Sequence, residues 1–555
     1  MKTPLSREAY AALVQAVGAA NVSEDQSVVV NYAWNCMFAD PGVNKVSSVW
    51  PSAVVLPGST EEVQAVVKAC NRYDIRFRAF STGLVSTNGK AGVAYVILDL
   101  RRMDTLVIDP ENQMAEIGPY VTAGQLQAEA MKHGLTCHII GAGPPHSPLA
   151  SATSMNGIGI SGATTGINFR NLLSFEWVTP EGEVLRVGSA GCGAGWFSGE
   201  GPGPGFRGMI RGDVGTMGGL GVFTKIGYKL HPWAGPTTLE RTGVFPQVGI
   251  KIPDLCTFYH LTWDDWEGAA KAGLQFNASR VADFWVRIPA DNIGWVLCES
   301  NNEFVERAQS GTLPPPARNE NARSWTVVTT SRSEAEARYK AKVMSKIIAE
   351  TRAHETAMEE KHAQVLANNL ITSCYIIRAF RAASGAGSSL GILDSFKLLP
   401  QVMERAESLL SDGMKKGHFV SSGKEGVWAW PNEGRYLWAE NLPFFSTARP
   451  PAYAAAIRYM LRAGQSQQEE PLGVNGFIAG AASDMFGPKL GFANEWMRRV
   501  KNTWDPKNLS IPQHYITPKK ASEAKAWPLA SRILLTKWGE PLFTKFTENL
   551  FKRRN

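Results

Sequence analysis

Cysteine is scarce and unpatterned in this chain. Seven cysteines are scattered over 555 residues, in neither the paired spacing of a zinc site nor an even disulfide framework, and without the ligand run of an iron–sulfur cluster. No apolar run is long enough for a bilayer-spanning helix. The opening, MKTPLSREAYAALVQAVG, lacks the apolar core of a secretory signal, so the expectation is a reduced, cytoplasmic protein. Charge of one sign is not in excess either. The 57 Lys and Arg against 50 Asp and Glu leave +7, spread along the chain, which suits an anionic cofactor or substrate better than a nucleic-acid groove.

What is present is the composition of a globular protein, 44% hydrophobic and 19% charged, too long for a single core. Tryptophan is abundant, with 17 in all and many in the second half. Residues 52–100 read as strand, helix, strand. Ser59 and Glu62 form a capping box, Val63, Val66, Val67 and Cys70 recur at helical spacing, and VAYVILDL is a β-branched run. MAEIGPYV then predicts a strand and TAGQLQAEAMKHG a helix ending at Gly134. LLSFEWVTPEGEVLRVGS predicts a hairpin turning at Pro180, Glu181 and Gly182, and GVFTKIGYKLHP a further strand. After about residue 235 the composition changes. A long charged helical stretch runs to about residue 370, aromatic strands such as GVWAWPNEGRYLWAEN follow, and from about 485 KLGFANEWMRRVKNTWDPKNLSIP reads as one helix closed by an Asp-Pro turn.

Three loops of small residues, 78–89, 144–166 and 212–221, interrupt the first half. Within the second, Gly157 to Gly162 spells G-x-G-x-x-G. That match carries weight only between a strand and a helix, and here a loop precedes it and a poor helix follows. The plainer alternatives are a flexible surface loop or a nest of backbone N–H groups for pyrophosphate, where small residues permit close approach.

The order of these segments resembles the vanillyl-alcohol oxidase/p-cresol methylhydroxylase superfamily of FAD proteins. The resemblance rests on PSAVVLPGSTEEVQAVVKACNRYDIRFRAFSTGL, SMNGIGISGATTG, VTPEGEVLRVGS, GDVGTMGGLGVFTKIGYKLHP and VKNTWDPKNLSIP, and covers roughly 45–235 and 485–520. It implies an α+β chain: a two-subdomain PCMH-type FAD-binding domain over 1–235, a cap or substrate domain of α/β type with an antiparallel sheet over 236–484, a return to the first domain over 485–529, and a basic amphipathic tail over 530–555. By the same resemblance FAD is held by Arg78, Ala79, Phe80, Ser81, Thr82, Gly83 and Leu84, by Pro145, Ser151, Ser154, Gly157, Gly159, Ser161 and Gly162, and by Gly221 and Val222. Phe80 stands where the family has glycine. The linking His or Cys of some relatives is replaced by Ser81 and Thr82 in the first loop and missing from the second, so non-covalent FAD is expected, with His418 a lesser linkage candidate.

The family passes a hydride from a substrate carbon to the flavin, which predicts an FAD-dependent oxidoreductase acting on an alcohol or 2-hydroxy acid. The alternatives are a non-redox flavoenzyme resembling alkylglycerone-phosphate synthase and a flavoprotein subunit of an electron-transfer complex. Arg207 occupies the place of an acid used by the phenol-oxidising branch, which disfavours phenols and favours an anion. Arg378, Arg381 and Arg435 are further anion candidates; Tyr375, Tyr436, His146 and His418 are base candidates. A solvated surface charge is the plainer reading of each arginine. Trp428, Trp430 and Trp438 line an aromatic or extended pocket, or else a cap core. Partners expected are a small anionic or aromatic substrate, a second copy of the chain, an electron-acceptor protein, and a membrane surface met by the tail, where Leu542, Phe543, Phe546 and Leu550 precede Lys552, Arg553 and Arg554. Nucleic acid is not expected.

Overall fold

The computed structural model describes residues 3–32, 50–83, 93–141, 143–155, 157–188, 193, 205–210, 215–245, 247–372, 385–386, 390–419, 427–434, 436–441, 443–446, 449–470, 472–476, 483–484, 487, 490–511, 515–516, 519, 536 and 539–552. The first sheet has four strands. Ala53–Val55, Tyr95–Asp99 and Arg76–Phe80 run parallel, with Val22–Ser23 antiparallel at one edge. The helix Thr60–Arg72 packs on it through Val63, Val66, Val67 and Cys70, all fully buried. Its N-terminus departs from the expected capping box in one bond. Ser59 Oγ accepts the Glu62 N–H at 3.2 Å, but Glu62 Oε2 accepts from Gly58 N–H at 2.7 Å and also meets Arg102, instead of returning to Ser59.

The second sheet has five antiparallel strands in the order Leu106–Asp109, Met114–Ile117, Val222–Lys229, Leu172–Val178, Val184–Val187. Its central strand is the last in the chain, a long-range pairing that local pattern does not reveal. The helix Ala123–Lys132 has a complete capping box, Thr122 with Gln125, and is followed by Gly134 at φ +67°. Glu176 joins the two sheets. Its carboxylate accepts from Thr60 Oγ1, from Thr224 Oγ1 at 3.0 Å and from Arg186 Nε at 2.7 Å.

The later half builds two four-stranded antiparallel sheets. One runs Phe284–Val286, Ser324–Thr330, Cys256–Thr262, His354–Glu355; the other runs Val427–Asn432, Tyr436–Asn441, Leu390–Asp394, Val474–Gly476. Arg287 and Ala429 exchange backbone bonds at 2.9 and 3.2 Å, so the two sheets meet as one surface. The buried Arg287 guanidinium reinforces the seam by donating to the carbonyls of Val427 and, at 3.2 Å, Ala322, while lying 5.0 Å over the Trp266 ring. One face carries Trp285, Trp325, Val427, Ala429, Leu437 and Ala439 into a core with the helices Trp266–Ser279, Glu334–Thr351 and Leu399–Lys415. The other carries Trp428, Trp430 and Trp438 into the core of the five-stranded sheet.

Two expectations are corrected here, and the tail is placed. The long charged stretch forms two helices, Glu334–Thr351 and Glu360–Ile371, because Arg352 turns left-handed at φ +57° and His354–Glu355 leaves to pair with Leu261 and Thr262. Among the described residues of the stretch from about 485, the helix covers Ala493–Trp504 and is entered through left-handed Phe492 at φ +58°. The tail helix, Gly539–Lys552, lies against the helix Pro450–Glu469. Leu542, on its apolar face, is 65% exposed, while Phe543 is half-buried; the side chains of Phe546 and Leu550, and residues Arg553 and Arg554, lie outside those described. Among the described residues, no helix is long and apolar enough to cross a membrane.

Burial raises the Glu176 carboxyl, but the bonds from Thr60, Arg186 and Thr224 outweigh it and hold the group below the ordinary glutamate range. A depressed folded-state value gives stability that is present above the unfolded value, about 4.3, and lost as pH falls through the folded one. Glu176→Gln is therefore expected to cost about 1–3 kcal/mol at pH 7. Thermal melts of both proteins from pH 7 to 3 should converge as pH falls below the ordinary glutamate range.

Candidate functional site

The three small-residue loops converge, and each junction is a specific hydrogen bond. The strand Arg76–Phe80 delivers the first. Thr82 Oγ1 accepts from the backbone N–H of Ser147 at 3.2 Å, and Ser147 Oγ in turn caps the short helix Pro148–Thr153 through Ala150 N–H. The far end of that helix holds the third loop: Thr216 N–H donates to Thr153 O at 3.1 Å, Met217 N–H to Ser154 O at 2.8 Å, and Thr216 Oγ1 to Ser154 Oγ at 3.3 Å. Asn168 fastens the second loop from below. It bonds Gly157 O through its backbone and Pro148 O through its side chain, and Tyr228 OH donates to its carboxamide oxygen.

The C-terminal return closes the ring. Ser510 lies beside Phe77, whose N–H and C=O bond Leu509 O and Ile511 N–H at 2.9 and 3.1 Å. Ser510 Oγ accepts from Gly221 N–H at 2.8 Å and donates to Gly218 O at 3.0 Å. Lys501, fully buried, donates to Gly219 O at 2.6 Å, Ser510 O at 2.5 Å and the Asp505 carboxylate at 2.5 Å. Burial lowers its ammonium, and Asp505 draws it back only in part.

The glycines of the second loop serve a purpose other than the one their spacing implies. A Cβ on Gly157 would collide with Ser151 Oγ and Asn168, on Gly159 with Ile139 O, and on Gly162 with Pro431 O. Protein therefore fills the space beside them, and the Gly162 N–H is spent on Gly159 O. A helix precedes the G-x-G-x-x-G run and a single turn, Gly162–Thr165, follows, so the Rossmann reading fails, and the buried glycines exclude a surface loop. Ser161 Oγ accepts from Ile139 N–H at 2.9 Å, and His138, pushed down to about 4 by burial, bonds Thr165 Oγ1 at 2.8 Å from inside the loop. Gly221, at φ +88°, is packed on Val178 O, and Val222 is buried at the start of its strand.

Ala79, Phe80, Ser81, Thr82, Gly83, Ser151 and Ser154 are half-exposed and Pro145 exposed. Phe80 stands edge-on to Tyr32 at 5.1 Å and folds its ring against Gly83, which takes φ +80°. Arg78 is buried beneath, and burial lowers its guanidinium to about 10. Ser151 Oγ is buried with no hydrogen-bond partner. Leu84 lies outside the described residues.

The candidate reactive residues scatter. Arg207 is buried and donates to Leu172 O at 3.1 Å, which sets aside a solvated surface charge. His146 is buried in the second loop, its carbonyl accepting from Ala123 N–H. Tyr436 begins a cap strand beside the Glu433–Arg170 ion pair; burial, then Glu433, raises its phenol, so it keeps its proton at neutral pH and suits donation better than proton abstraction. His418 follows the helix Leu399–Lys415, its N–H donating to Gly413 O at 2.8 Å. Tyr375, Arg378, Arg381 and Arg435 lie outside the described residues.

Above the loops stands the cap strand Val427–Asn432. The Trp430 ring lies on Gly141, Asn432 on Gly162, and Glu433 N–H bonds Gly162 O at 2.8 Å. Cross-strand pairing sets Trp438 opposite Trp430 and Glu440, buried, opposite Trp428. The tryptophan run was legible in the sequence. Glu440 was not, because only the pairing register assigns it to this face. Ser147, Asn168, Lys501 and Ser510 were also missed; the sole local signal was the Lys501–Asp505 spacing of four on a helix.

Comparison with known proteins says what such a ring of backbone-rich loops holds. Residues 51–188 match the FAD binding domain family. Over 189 residues the chain is 32% identical to the 4-cresol dehydrogenase (hydroxylating) flavoprotein subunit of Pseudomonas putida, covering 33% of this chain and 35% of that one. It is 30% identical to D-lactate dehydrogenase of Archaeoglobus fulgidus over 32% of this chain and 38% of that one. The chain thus spans well under half the length of these relatives. The fold matches p-cresol methylhydroxylase with substrate bound at TM-score 0.70 and 16% identity, over 93% of this chain and 98% of that one. Alkyldihydroxyacetonephosphate synthase follows at 0.61 and 15%, over 92% and 86%. This is an FAD-binding protein. Its fold is that of p-cresol methylhydroxylase and 4-ethylphenol oxidase.

Lys501→Ala leaves Asp505 buried without its countercharge, which typically costs about 3–5 kcal/mol. The variant is expected to unfold at lower denaturant and to purify with less flavin per chain, read from the absorbance ratio at 450 and 280 nm.

Proposed function

We propose that the protein is an FAD-dependent oxidoreductase acting on an alcohol or 2-hydroxy acid, with FAD held non-covalently. What supports this reading is the FAD binding domain over residues 51–188 together with the strand Val427–Asn432, which lies directly on the second loop and turns Trp428 and Trp430 toward the FAD-binding half as an aromatic wall. The described cradle residues Ala79 to Gly83, with Ser151 and Ser154, hold the cofactor; none is the histidine or cysteine a covalent link needs. Bound there, FAD supplies the hydride acceptor, and the chain supplies position and protons. Tyr436 donates a hydrogen bond at the edge of the wall, and Glu440 places a carboxyl among the tryptophans as a proton acceptor. Arg207 supports the wall of the cradle through Leu172 O.

The names of the relatives, a 4-cresol dehydrogenase flavoprotein subunit and a D-lactate dehydrogenase, support redox chemistry; the former also supports a partner protein as electron acceptor. A non-redox synthase is supported only by the weaker structural likeness. The protein is expected to purify yellow, to release intact FAD on acid precipitation, and to bleach in anaerobic titration with an alcohol or hydroxy acid. Flavin left on the precipitated polypeptide would overturn non-covalent binding. A panel of such substrates that never bleaches the flavin would overturn the oxidoreductase reading.

A further inference from the structure

Phe80 is the only aromatic residue of the first loop, RAFSTGLVSTNG, and it is held from several sides. Its strand, Arg76–Phe80, sends Phe77 and Ala79 into the core under the helix Thr60–Arg72, so Arg78 and Phe80 turn to the opposite face. There the Phe80 ring meets the Tyr32 ring edge-on at 5.1 Å and 67°, and the Arg78 guanidinium carbon lies 5.9 Å from its centroid. The tip of the ring reaches the spot that a Cβ on Gly83 would take, and Gly83 stands at φ +80°. A side chain at position 83 and the ring of Phe80 exclude each other, so the bare, left-handed glycine and the ring act as one unit. What fixes Tyr32 in turn is a buried carboxylate. Tyr32 OH donates to Asp99 Oδ2 at 2.5 Å. Asp99 is fully buried and stands directly opposite Phe80 in the parallel ladder, with Leu100 N–H donating to Phe80 O at 2.9 Å. Arg101 closes the set, donating through Nη2 to Asp99 Oδ2 at 2.6 Å and to Tyr32 OH at 3.0 Å. Burial, then the Asp99 carboxylate, raises the Tyr32 phenol, so it remains a donor at physiological pH.

We infer that Tyr32 is a positioning residue for the cofactor: through the Phe80 ring it holds the first loop, before FAD arrives, in the form that receives the pyrophosphate. This rests on the reading above that the first loop holds FAD, and deepens it. A loop of Ser, Thr and Gly has many conformations to lose on binding. A clamp that removes them beforehand strengthens binding without touching the ligand, and such gains show mostly in the rate of release. The clamp is built from a buried carboxylate, which is costly in a protein interior unless it is paired. Here the pairing fixes the ring of Tyr32, whose edge-on neighbour is Phe80.

The test is release of FAD from diluted holoprotein, followed by the rise in flavin fluorescence. Tyr32→Leu and Phe80→Gly are each expected to release FAD about two- to tenfold faster, the range that loss of an edge-on ring pair corresponds to. The bound flavin should keep its absorbance spectrum, because the loop meets the pyrophosphate and not the ring system. Tyr32→Phe keeps the ring and loses only the bond to Asp99. Its rate should fall between those of Tyr32→Leu and the unaltered protein, and it decides the matter where a harsher variant fails to fold. Because Tyr32 acts through Phe80, Tyr32→Leu should add nothing in a chain that already carries Phe80→Gly, whereas a residue that merely supports the fold would add its full effect. Additive effects would therefore overturn the inference. So would release at the unaltered rate in all of these variants while Ser81→Trp, a direct block of the loop, empties the protein of flavin; the loop reading would then stand without the clamp. Flavin retained in full by Ser81→Trp would sink the loop reading, and the inference with it.

Discussion

The ammonium of Lys501 is the contact on which the rest of the site depends. It is fully buried and satisfied by a carboxylate and two carbonyls. Those acceptors belong to the third glycine loop, to the C-terminal return and to the end of its own helix, so one charge fixes three chain segments. Asp505 repeats the arrangement from the other side, accepting the N–H groups of Leu509 and Ser510 at 2.9 Å each. Ser510 and its neighbours then run beside Phe77, at the base of the first loop. A buried pair of this kind adds little net stability but is severely destabilising to break, which makes it a device for specifying one arrangement.

The cap is tied down by a similar economy of contacts. Arg287 clamps the seam of the two cap sheets through carbonyls on two segments, and beyond the seam the strand Val427–Asn432 has a double duty. Ala429 faces the cap core and Trp428 and Trp430 face the cofactor domain, because alternate residues of a strand point to opposite sides. Shifting that strand by one residue would turn the tryptophans into the cap and expose alanine to the site. The register is held at its far end by Glu433, which pairs with Arg170 at 2.7 Å and with Gly162 O.

The glycines of the second loop show how a motif can be right in its letters and misleading in its reason. Small residues are required at 157, 159 and 162, but the neighbours that demand them are Ser151 and Asn168, Ile139 O, and the cap's Pro431 O. Close approach is needed by the protein to itself. The hydroxyls of Thr82 and Ser154 tie one loop to the next, and Phe80 is accommodated by laying its ring on Gly83.

The sequence by itself determined what short-range physics controls. Helices such as Thr60–Arg72 and Ala123–Lys132 announce themselves through caps and apolar spacing, the hairpin at Gly182 through its turn residues, and the FAD domain through the order of its loops. The tertiary structure decided the rest. Which strand is central, where the charged helix breaks, which arginine is buried and which face Glu440 shares are set by contacts between residues far apart in the chain. The reactive-residue candidates were chosen by type alone, and type does not fix direction: burial holds Tyr436 protonated, while a pairing register places Glu440 on the wall. Direction comes from packing and register, and both are properties of the assembled sheets, not of any local run of residues.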